Sequence, residues 1–275
     1  MAGIAIASPA FARQRVRIIG VCTAQHGGKR VSQLRADLVV DATGRGARTP
    51  VMLERLGYGR PAEDKVTVHL KYSPQLLRLP PDALREMGFI VSPIPGRPRR
   101  LALALCEHGT YMLTVFGMAG DDRPDTFTEM LEFARAFAPP HAMAALESAT
   151  PLAPPAQHRY PSSRWYRYDR AQRLPDGLLV VGDAVCSFNP IYAQGMTVAA
   201  LEALALRDCL SKGTADLPRR FFRASAKPIR QAWQLAVAGD LALPEIEGAP
   251  PLPMRLMNTY VDRILTAAEY DISVF

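Results

Sequence analysis

The sequence predicts a mixed α/β (α+β) fold. A parallel sheet is accompanied by an antiparallel sheet and closed by carboxyl-terminal helices. Three observations predict it. Leu38 to Val40 and Leu178 to Val181 are short apolar runs that end in Asp41-Ala42-Thr43-Gly44 and in Gly182-Asp183. Such runs, bounded by turn residues, suit strands covered on both faces. Between them, four segments from Val66 to Phe116 read as strands, and after Gly195 apolar residues dominate a long helical stretch.

Taken in order, Arg15 to Thr23 alternates loosely and reads as a strand. Gly27-Gly28 is a turn and Lys29 to Leu34 the returning hairpin partner. After the Leu38 to Val40 strand comes a short helix, Val51 to Leu56. Val66 to Tyr72 alternates, with Val66, Val68 and Leu70 on one face and Thr67, His69 and Lys71 on the other. Gly88 to Val91, Leu101 to Cys106 and Thr110 to Phe116 complete the antiparallel set, with the Pro/Gly cluster of Pro93 to Arg99 as a turn. His69, Tyr72, Tyr111 and Met112 are candidates to line a pocket on this sheet, against the plainer reading of sheet surface and packing.

Asp125 to Phe137 reads as a helix capped by Thr126 and stopped by Pro139-Pro140. Pro151, Pro154 and Pro155 mark a connector. The segment Arg159 to Arg170 sets Tyr160, Trp165, Tyr166 and Tyr168 among arginines; a ligand contact and an aromatic crossing strand with a basic outer face both fit it. Phe221 to Val237 is amphipathic, with Phe222, Ile229, Trp233 and Val237 inward and Pro228 as a kink. Ala249 to Pro253 is a linker, and Met254 to Ala268 a last helix with Leu256, Tyr260, Ile264 and Leu265 on one side.

The chemistry concentrates in Gly177 to Leu210. Asp183 falls at the carboxyl end of a buried strand, where open α/β sheets bind ligands. The helix that opens near Gly195 presents free N–H groups and the positive end of its dipole, which favour an anion or an electron-rich ring edge. The plainer alternative is a generic strand–turn–helix with a solvated Asp.

This run, with Gly182, Asp183, Ala184, Pro190, Gln194, Gly195 and Met196 in order, resembles the second flavin-binding motif of FAD-dependent monooxygenases of the para-hydroxybenzoate hydroxylase type. The resemblance implies an FAD/NAD(P)-binding doubly wound sheet, incomplete at its amino terminus. It places Asp183 on a ribityl hydroxyl, the amides near Gly195 and Met196 at the flavin pyrimidine edge, and Pro190 beside the reactive face. Ala36 to Pro50 resembles the family's middle motif, with Thr43 where the family has Asp and with Gly44 kept. The expected cofactor-binding set is therefore Thr43, Gly44, Gly182, Asp183, Pro190, Gln194, Gly195 and Met196. The family's first motif, a G-x-G-x-x-G turn after a strand, is not found. The resemblance covers Val16 to about Leu241 and implies a chain that lacks the amino-terminal unit. Met1 to Ala12 reads as a displaced beginning rather than a signal peptide. Ala193 stands where many relatives carry Gly, and its methyl tightens the approach to the flavin.

By the same resemblance, NAD(P)H reduces FAD. Dioxygen then adds at the flavin C4a carbon, and the hydroperoxide passes one oxygen to a small organic substrate, aromatic or polyketide/isoprenoid-like. No side chain is assigned to acid–base catalysis, and no metal is implied. Three alternatives stay open. One is a flavin-dependent reductase of isoprenoid double bonds, compatible with Asn189-Pro190 and Ala42-Thr43-Gly44. Another is a flavin halogenase, whose expected Lys and Trp-rich loop are not seen. The last is a truncated, non-catalytic remnant of the fold that needs a partner chain supplying the missing unit.

Composition sets the outer bounds. A chain of 275 residues with 48% apolar and 21% charged residues suits a globular protein with a sizeable core. No apolar run approaches the about 20 residues of a membrane-spanning helix. The net charge of +7 is dispersed and is not interleaved with aromatics on a nucleic-acid module, so no nucleic-acid partner is expected. Cys22, Cys106, Cys186 and Cys209 are widely spaced, without zinc or C-x-x-C spacing, which fits a reducing cytoplasm. The expected division is residues 1–60 and 156–212 for the FAD-binding part, 61–155 for the antiparallel substrate part with its helix, and 213–275 for the terminal helices.

Overall fold

The computed structural model describes residues 2–3, 16–24, 31–119, 124–248, 250 and 252–270. The chain divides into two units: Met1–Lys65 with Ser163–Ala236, and Val66–Ser162 with Val237–Phe275. The fold is mixed α/β, with one short parallel pairing and two antiparallel sheets.

The first unit begins with strands β1 (Ala2–Gly3), β2 (Gly20–Ala24) and β3 (Val31–Arg35), antiparallel in that order. The expected hairpin is thus β2–β3, in register from Gly20↔Arg35 to Ala24↔Val31. The Gly27-Gly28 turn lies outside the described residues, as does the stretch Met1 to Ala12 apart from Ala2 and Gly3. β4 (Val39–Asp41) leads into a 3-10 turn at Gly44–Gly46 and then α1 (Thr49–Arg55), where Pro50 sits in the first turn, a position that tolerates its missing N–H.

β5 (Glu63–Arg78) carries the chain into the second unit. It is 16 residues long, far beyond the expected Val66 to Tyr72. Val68 and Leu70 are buried, as the alternation predicts. His69 sits at φ +44, and beyond Tyr72 the buried set moves to Ser73, Gln75 and Leu77. That change of face is what hid the second half of the strand. Ser73 and Gln75 are buried because they are bonded: Ser73 Oγ donates to the Pro124 carbonyl at 2.9 Å and Gln75 Nε2 to that of Ala153 at 2.7 Å.

Strands β6 (Gly88–Val91), β7 (Arg99–Leu105) and β8 (Tyr111–Gly117) extend the sheet in the order β5-β8-β7-β6. Leu101, Leu103, Leu113 and Val115 form one core layer beneath helix α2 (Phe127–Arg135) and helix α3 (Pro140–Glu147). Thr126 and Glu129 make a reciprocal capping box, which fixes the start of α2. α2 ends earlier than the expected Phe137. The Pro139-Pro140 pair, read as a stop, also opens α3, because Pro suits a first helical position. β9 (Thr150–Pro151) pairs with the end of β5, and β10 (His158–Tyr166) returns the chain to the first unit. Tyr72 lies between Phe116 and His158, with centroids 5.6 and 4.9 Å away, so it serves as packing.

Back in the first unit, β11 (Leu178–Val180) lies parallel to β4, and β12 (Cys186–Ser187) pairs with the end of β10. Helices α4 (Gly195–Leu210) and α5 (Leu217–Asp240) follow, α5 containing Pro228. Among the described residues, the parallel sheet is two strands wide, extended by one parallel bridge between Arg17 and Asp176. The core gathers Ile18, Leu53, Leu178 to Val180, Phe221, Phe222 and Ile229.

Residues 165–168 are buried in this core, so the aromatic crossing-strand reading of Arg159 to Arg170 holds for them. Tyr168 stacks on Phe222 at 4.9 Å. Arg167, expected on a basic outer face, is only 4% exposed. Its guanidinium lies 3.7 Å from the Trp165 ring centre and bonds to Asp64 and Asp169 at 2.7 to 2.9 Å, which satisfies the buried charge.

In the second unit, helix α6 (Leu252–Tyr270) leaves Leu256, Tyr260 and Ile264 exposed. No described helix is long and apolar enough to cross a membrane.

Candidate functional site

β4 and β11 run side by side with Val180 opposite Asp41, and the Val181 N–H donates to the Asp41 carbonyl at 3.0 Å. Their carboxyl ends are therefore level. The turn after each strand, Gly44–Gly46 and Gly182–Ala184, packs against the other. Gly44 at φ +73 and Gly182 at φ +61 take left-handed conformations that a side chain would strain.

Asp41 builds the first turn. Its buried carboxylate accepts the Thr43 N–H at 3.0 Å and the Thr43 hydroxyl at 2.5 Å, and it also accepts the Thr49 hydroxyl. Thr43 is thus held by Asp41, with its side chain at the surface. Arg45 reaches from this turn to Ser187 Oγ at 3.3 Å.

Asp183 lies exposed on the second turn. Partial burial pushes its carboxyl up, and the Arg45 charge pulls it down. A Cβ added to Gly195 would stand 3.8 Å from Asp183 Oδ1, so the carboxylate lies at the first residue of α4. Asn189 sets up that helix start. Its Oδ1 accepts the Ile191 N–H at 3.2 Å and its own N–H donates to Ser163 Oγ at 3.1 Å. Pro190 then opens a 3-10 turn, Ala193 reverses the chain at φ +53, and Gln194 precedes Gly195. No side chain caps α4, which leaves its first N–H groups unclaimed by a cap. Pro190 is exposed and Met196 is 86% exposed.

Of the expected residues, Thr43, Gly44, Gly182, Asp183 and Gly195 are drawn together by the paired turns and the start of α4. Gln194 borders that start; Pro190 and Met196 lie on the surface of the same loop and helix.

Glu202 is a further residue of the site, outside the expected set. It is 1% exposed on α4, and its Oε2 accepts the Gly182 N–H at 2.5 Å. Burial first, then the neighbouring Asp183 charge, push its carboxyl up to about 7 against the opposing effect of that hydrogen bond. One signal was available: Glu202 is the sole charged residue between Asp183 and Arg207. Arg45 and Asp41 likewise lie outside the expected cofactor-binding set. Cys186 is buried and its thiol is pushed well up by burial, which leaves it a packing residue rather than a nucleophile.

The chemistry of the paired turns fits a flavin. Beyond the local backbone, no described atom lies within 4 Å of where a Cβ on Gly44, Gly46 or Gly182 would stand, so a ligand can approach the backbone closely. Gln194 Oε1 is buried without a partner among the described residues and needs a donor such as a hydroxyl or ring N–H. Asp183 offers an acceptor for a polyol hydroxyl, and α4 offers N–H donors to a carbonyl-bearing ring edge. A cavity of about 250 Å³ elsewhere in the first unit, lined by Tyr58, Arg173, Asp176 and Arg219, shares no residue with these turns. Among the described residues no group of three His, Cys, Asp or Glu is placed to hold a metal.

Comparison with known proteins agrees with this architecture. No family model matches the chain. Protein Rv3254 of Mycobacterium tuberculosis is 38% identical over 97% of the chain, which spans 58% of that protein's length. Among solved structures, the flavin-dependent brominase Bmp2 superposes with a TM-score of 0.62 at 14% identity, covering 91% of this chain and 60% of that one. Klebsiella pneumoniae HpxO complexed with FAD and uric acid superposes at 0.55 with 17% identity, covering 80% and 54%. A 2-methyl-3-hydroxypyridine-5-carboxylic acid oxygenase superposes at 0.54 with 18% identity, covering 76% and 54%. The chain therefore has the fold found in FAD-dependent monooxygenases and flavin-dependent halogenases, over little more than half of their length.

Proposed function

We propose that this chain is the flavin-holding and substrate-facing part of an FAD-dependent oxidoreductase, and that the reaction is monooxygenation of a small organic molecule with NAD(P)H as reductant. The observation that carries the reading is the meeting of the Asp183 turn, the Thr43–Gly46 turn and the start of α4 at the carboxyl ends of two parallel strands. The likeness in fold to flavin monooxygenases supports it.

When bound, the flavin supplies electron transfer from the nicotinamide to oxygen. The chain's own residues do the placing. Asp183 accepts a hydrogen bond from a ribityl hydroxyl. The N–H groups at Gly195 and Met196, with the positive end of the α4 dipole, hold the electron-rich edge of the ring. Gly44 and Gly182 let the backbone come close, and Arg45 balances the Asp183 charge. Pro190 and the turn it opens shield one face from water.

The test is equilibrium binding of FAD to the full chain and to Asp183→Ala. Losing one charge-assisted hydrogen bond of about 1.5–3 kcal/mol weakens binding by about 10- to 100-fold. Equal affinity in the two proteins removes Asp183 from the site.

One observation favours a second reading. Met196, Leu201 and Leu204 are 86%, 42% and 47% exposed on α4, and Val40 is 40% exposed on β4. Apolar groups so placed suit a covering polypeptide, either a further segment or a partner chain. In this reading the chain alone holds flavin weakly, and adding a separate polypeptide with a G-x-G-x-x-G unit restores tight binding.

A further inference from the structure

We propose that Glu202 is a positioning residue that fixes the Gly182–Ala184 turn against α4, so that gain or loss of its proton tunes the spacing between Asp183 and the start of that helix. The ligand half of this inference rests on the flavin reading; the mechanical half does not.

Three observations carry it. First, α4 supplies one arm of the site, Gly195 and Met196, and the turn supplies the other, Asp183. The hydrogen bond from Gly182 N–H to Glu202 Oε2, at 2.5 Å, ties the two arms together. Second, the carboxyl is 1% exposed in an otherwise apolar helix face, so it has no solvent to compensate its charge. Third, its second oxygen, Oε1, is buried and has no hydrogen-bond partner among the described residues. A carboxylate that satisfies one oxygen and strands the other is far costlier in its charged form than in its neutral form.

The charged and titratable groups around it act in one direction. Asp183, on the turn, repels its negative charge, and Cys186, on β12, is itself held neutral. The nearby cations are engaged elsewhere: Arg45 acts on Asp183 and bonds to Ser187, and Arg167 is held by Asp64 and Asp169. With the carboxyl raised to about 7, both forms are populated at neutral pH.

The consequence is a linkage. A ligand that docks on an ionised Asp183 excludes more water from the turn and so favours neutral Glu202. Binding then takes up a proton. Above neutrality, affinity falls by up to about tenfold per pH unit, the limit for one linked proton.

Two measurements on the full chain test this, each with wild type, Glu202→Gln and Glu202→Ala. The first is the Kd for FAD from pH 6 to 8.5. Wild type weakens as pH rises, Glu202→Gln gives a flat profile, and Glu202→Ala, lacking the tie, is weaker at every pH with unchanged circular dichroism. A flat wild-type profile, or equal slopes in wild type and Glu202→Gln, overturns the inference. The second is the thermal midpoint without flavin from pH 5 to 8. Wild type falls relative to Glu202→Gln as pH rises; coincident profiles overturn the inference whether or not flavin binds. If none of the three proteins binds FAD while the wild-type and Glu202→Gln midpoints diverge, the positioning role stands and the flavin reading fails instead.

Discussion

Asp41 and Val181 are joined by a 3.0 Å hydrogen bond from the Val181 N–H to the Asp41 carbonyl, the last rung between β4 and β11. The residues that follow each partner leave the sheet at the same height. Two turns separated by more than a hundred residues of chain therefore become neighbours. The same Asp41 uses its side chain to shape one of those turns, so backbone pairing and turn geometry depend on one residue.

Replacing Asp41 with Ala removes three acceptor interactions and leaves the buried Thr49 hydroxyl unpaired. The expected loss is about 2–4 kcal/mol, from the penalty for stranding a buried polar group together with the lost bonds. Urea denaturation measures it. A loss under about 1 kcal/mol would show that water replaces the carboxylate.

Arg167→Met keeps most of the side-chain volume over Trp165 but strands Asp169, which is 11% exposed beside it. Breaking a buried pair from one side costs about 3–5 kcal/mol. The double variant Arg167→Met with Asp169→Leu recovers much of that loss. No recovery in a denaturation series would mean that Arg167 acts through packing alone.

Ala193 holds φ +53 at the junction between the Pro190 turn and α4. A left-handed alanine costs roughly 1 kcal/mol that glycine avoids. Ala193→Gly is expected to raise stability by up to about 1 kcal/mol and, on the flavin reading, to leave binding equal or tighter. A lower thermal midpoint contradicts this.

Glu202 makes stability depend on pH in a direction opposite to most carboxyls. Its folded value of about 7 lies above its ordinary 4.5, so the folded protein binds the proton more tightly than the unfolded chain does. Below about pH 4.5 both states are protonated and there is no cost. Between about 4.5 and 7 stability falls, and above 7 the full cost of about 3 kcal/mol is in place. Comparing wild type with Glu202→Gln by urea denaturation at pH 5 and 8 isolates the effect. A gap between the two proteins that is no larger at pH 8 than at pH 5 contradicts it.

The parts of the fold fixed by local rules were legible. The apolar runs at Leu38 and Leu178, each closed by an acidic or glycine turn, are the parallel strands. The Thr126–Glu129 capping box marks α2. The second half of β5 was hidden because its buried positions include Ser73 and Gln75, whose partners at Pro124 and Ala153 are distant in sequence. α3 was hidden because Pro139-Pro140 signals both an end and a beginning. The arginine-rich segment was ambiguous because the burial of Arg167 depends on Asp64, about a hundred residues away.

Within the candidate site, the glycines and Asp183 stood out by spacing. Glu202 did not, since a charged side chain on a helix normally faces water. Only the fold reveals that its face is turned toward Gly182. Arg45 did not stand out either, because its partner Ser187 lies 142 residues further along the chain and only the fold brings them together.

The most direct test of the central claim is the visible absorption spectrum of the full chain after incubation with FAD and desalting, beside that of Asp183→Ala. The account predicts retained flavin bands, shifted from those of free FAD, in the wild-type protein and their loss or marked weakening in the variant. A folded wild-type protein that emerges colourless, and that shows no FAD binding by equilibrium titration even with a G-x-G-x-x-G polypeptide supplied, would contradict it.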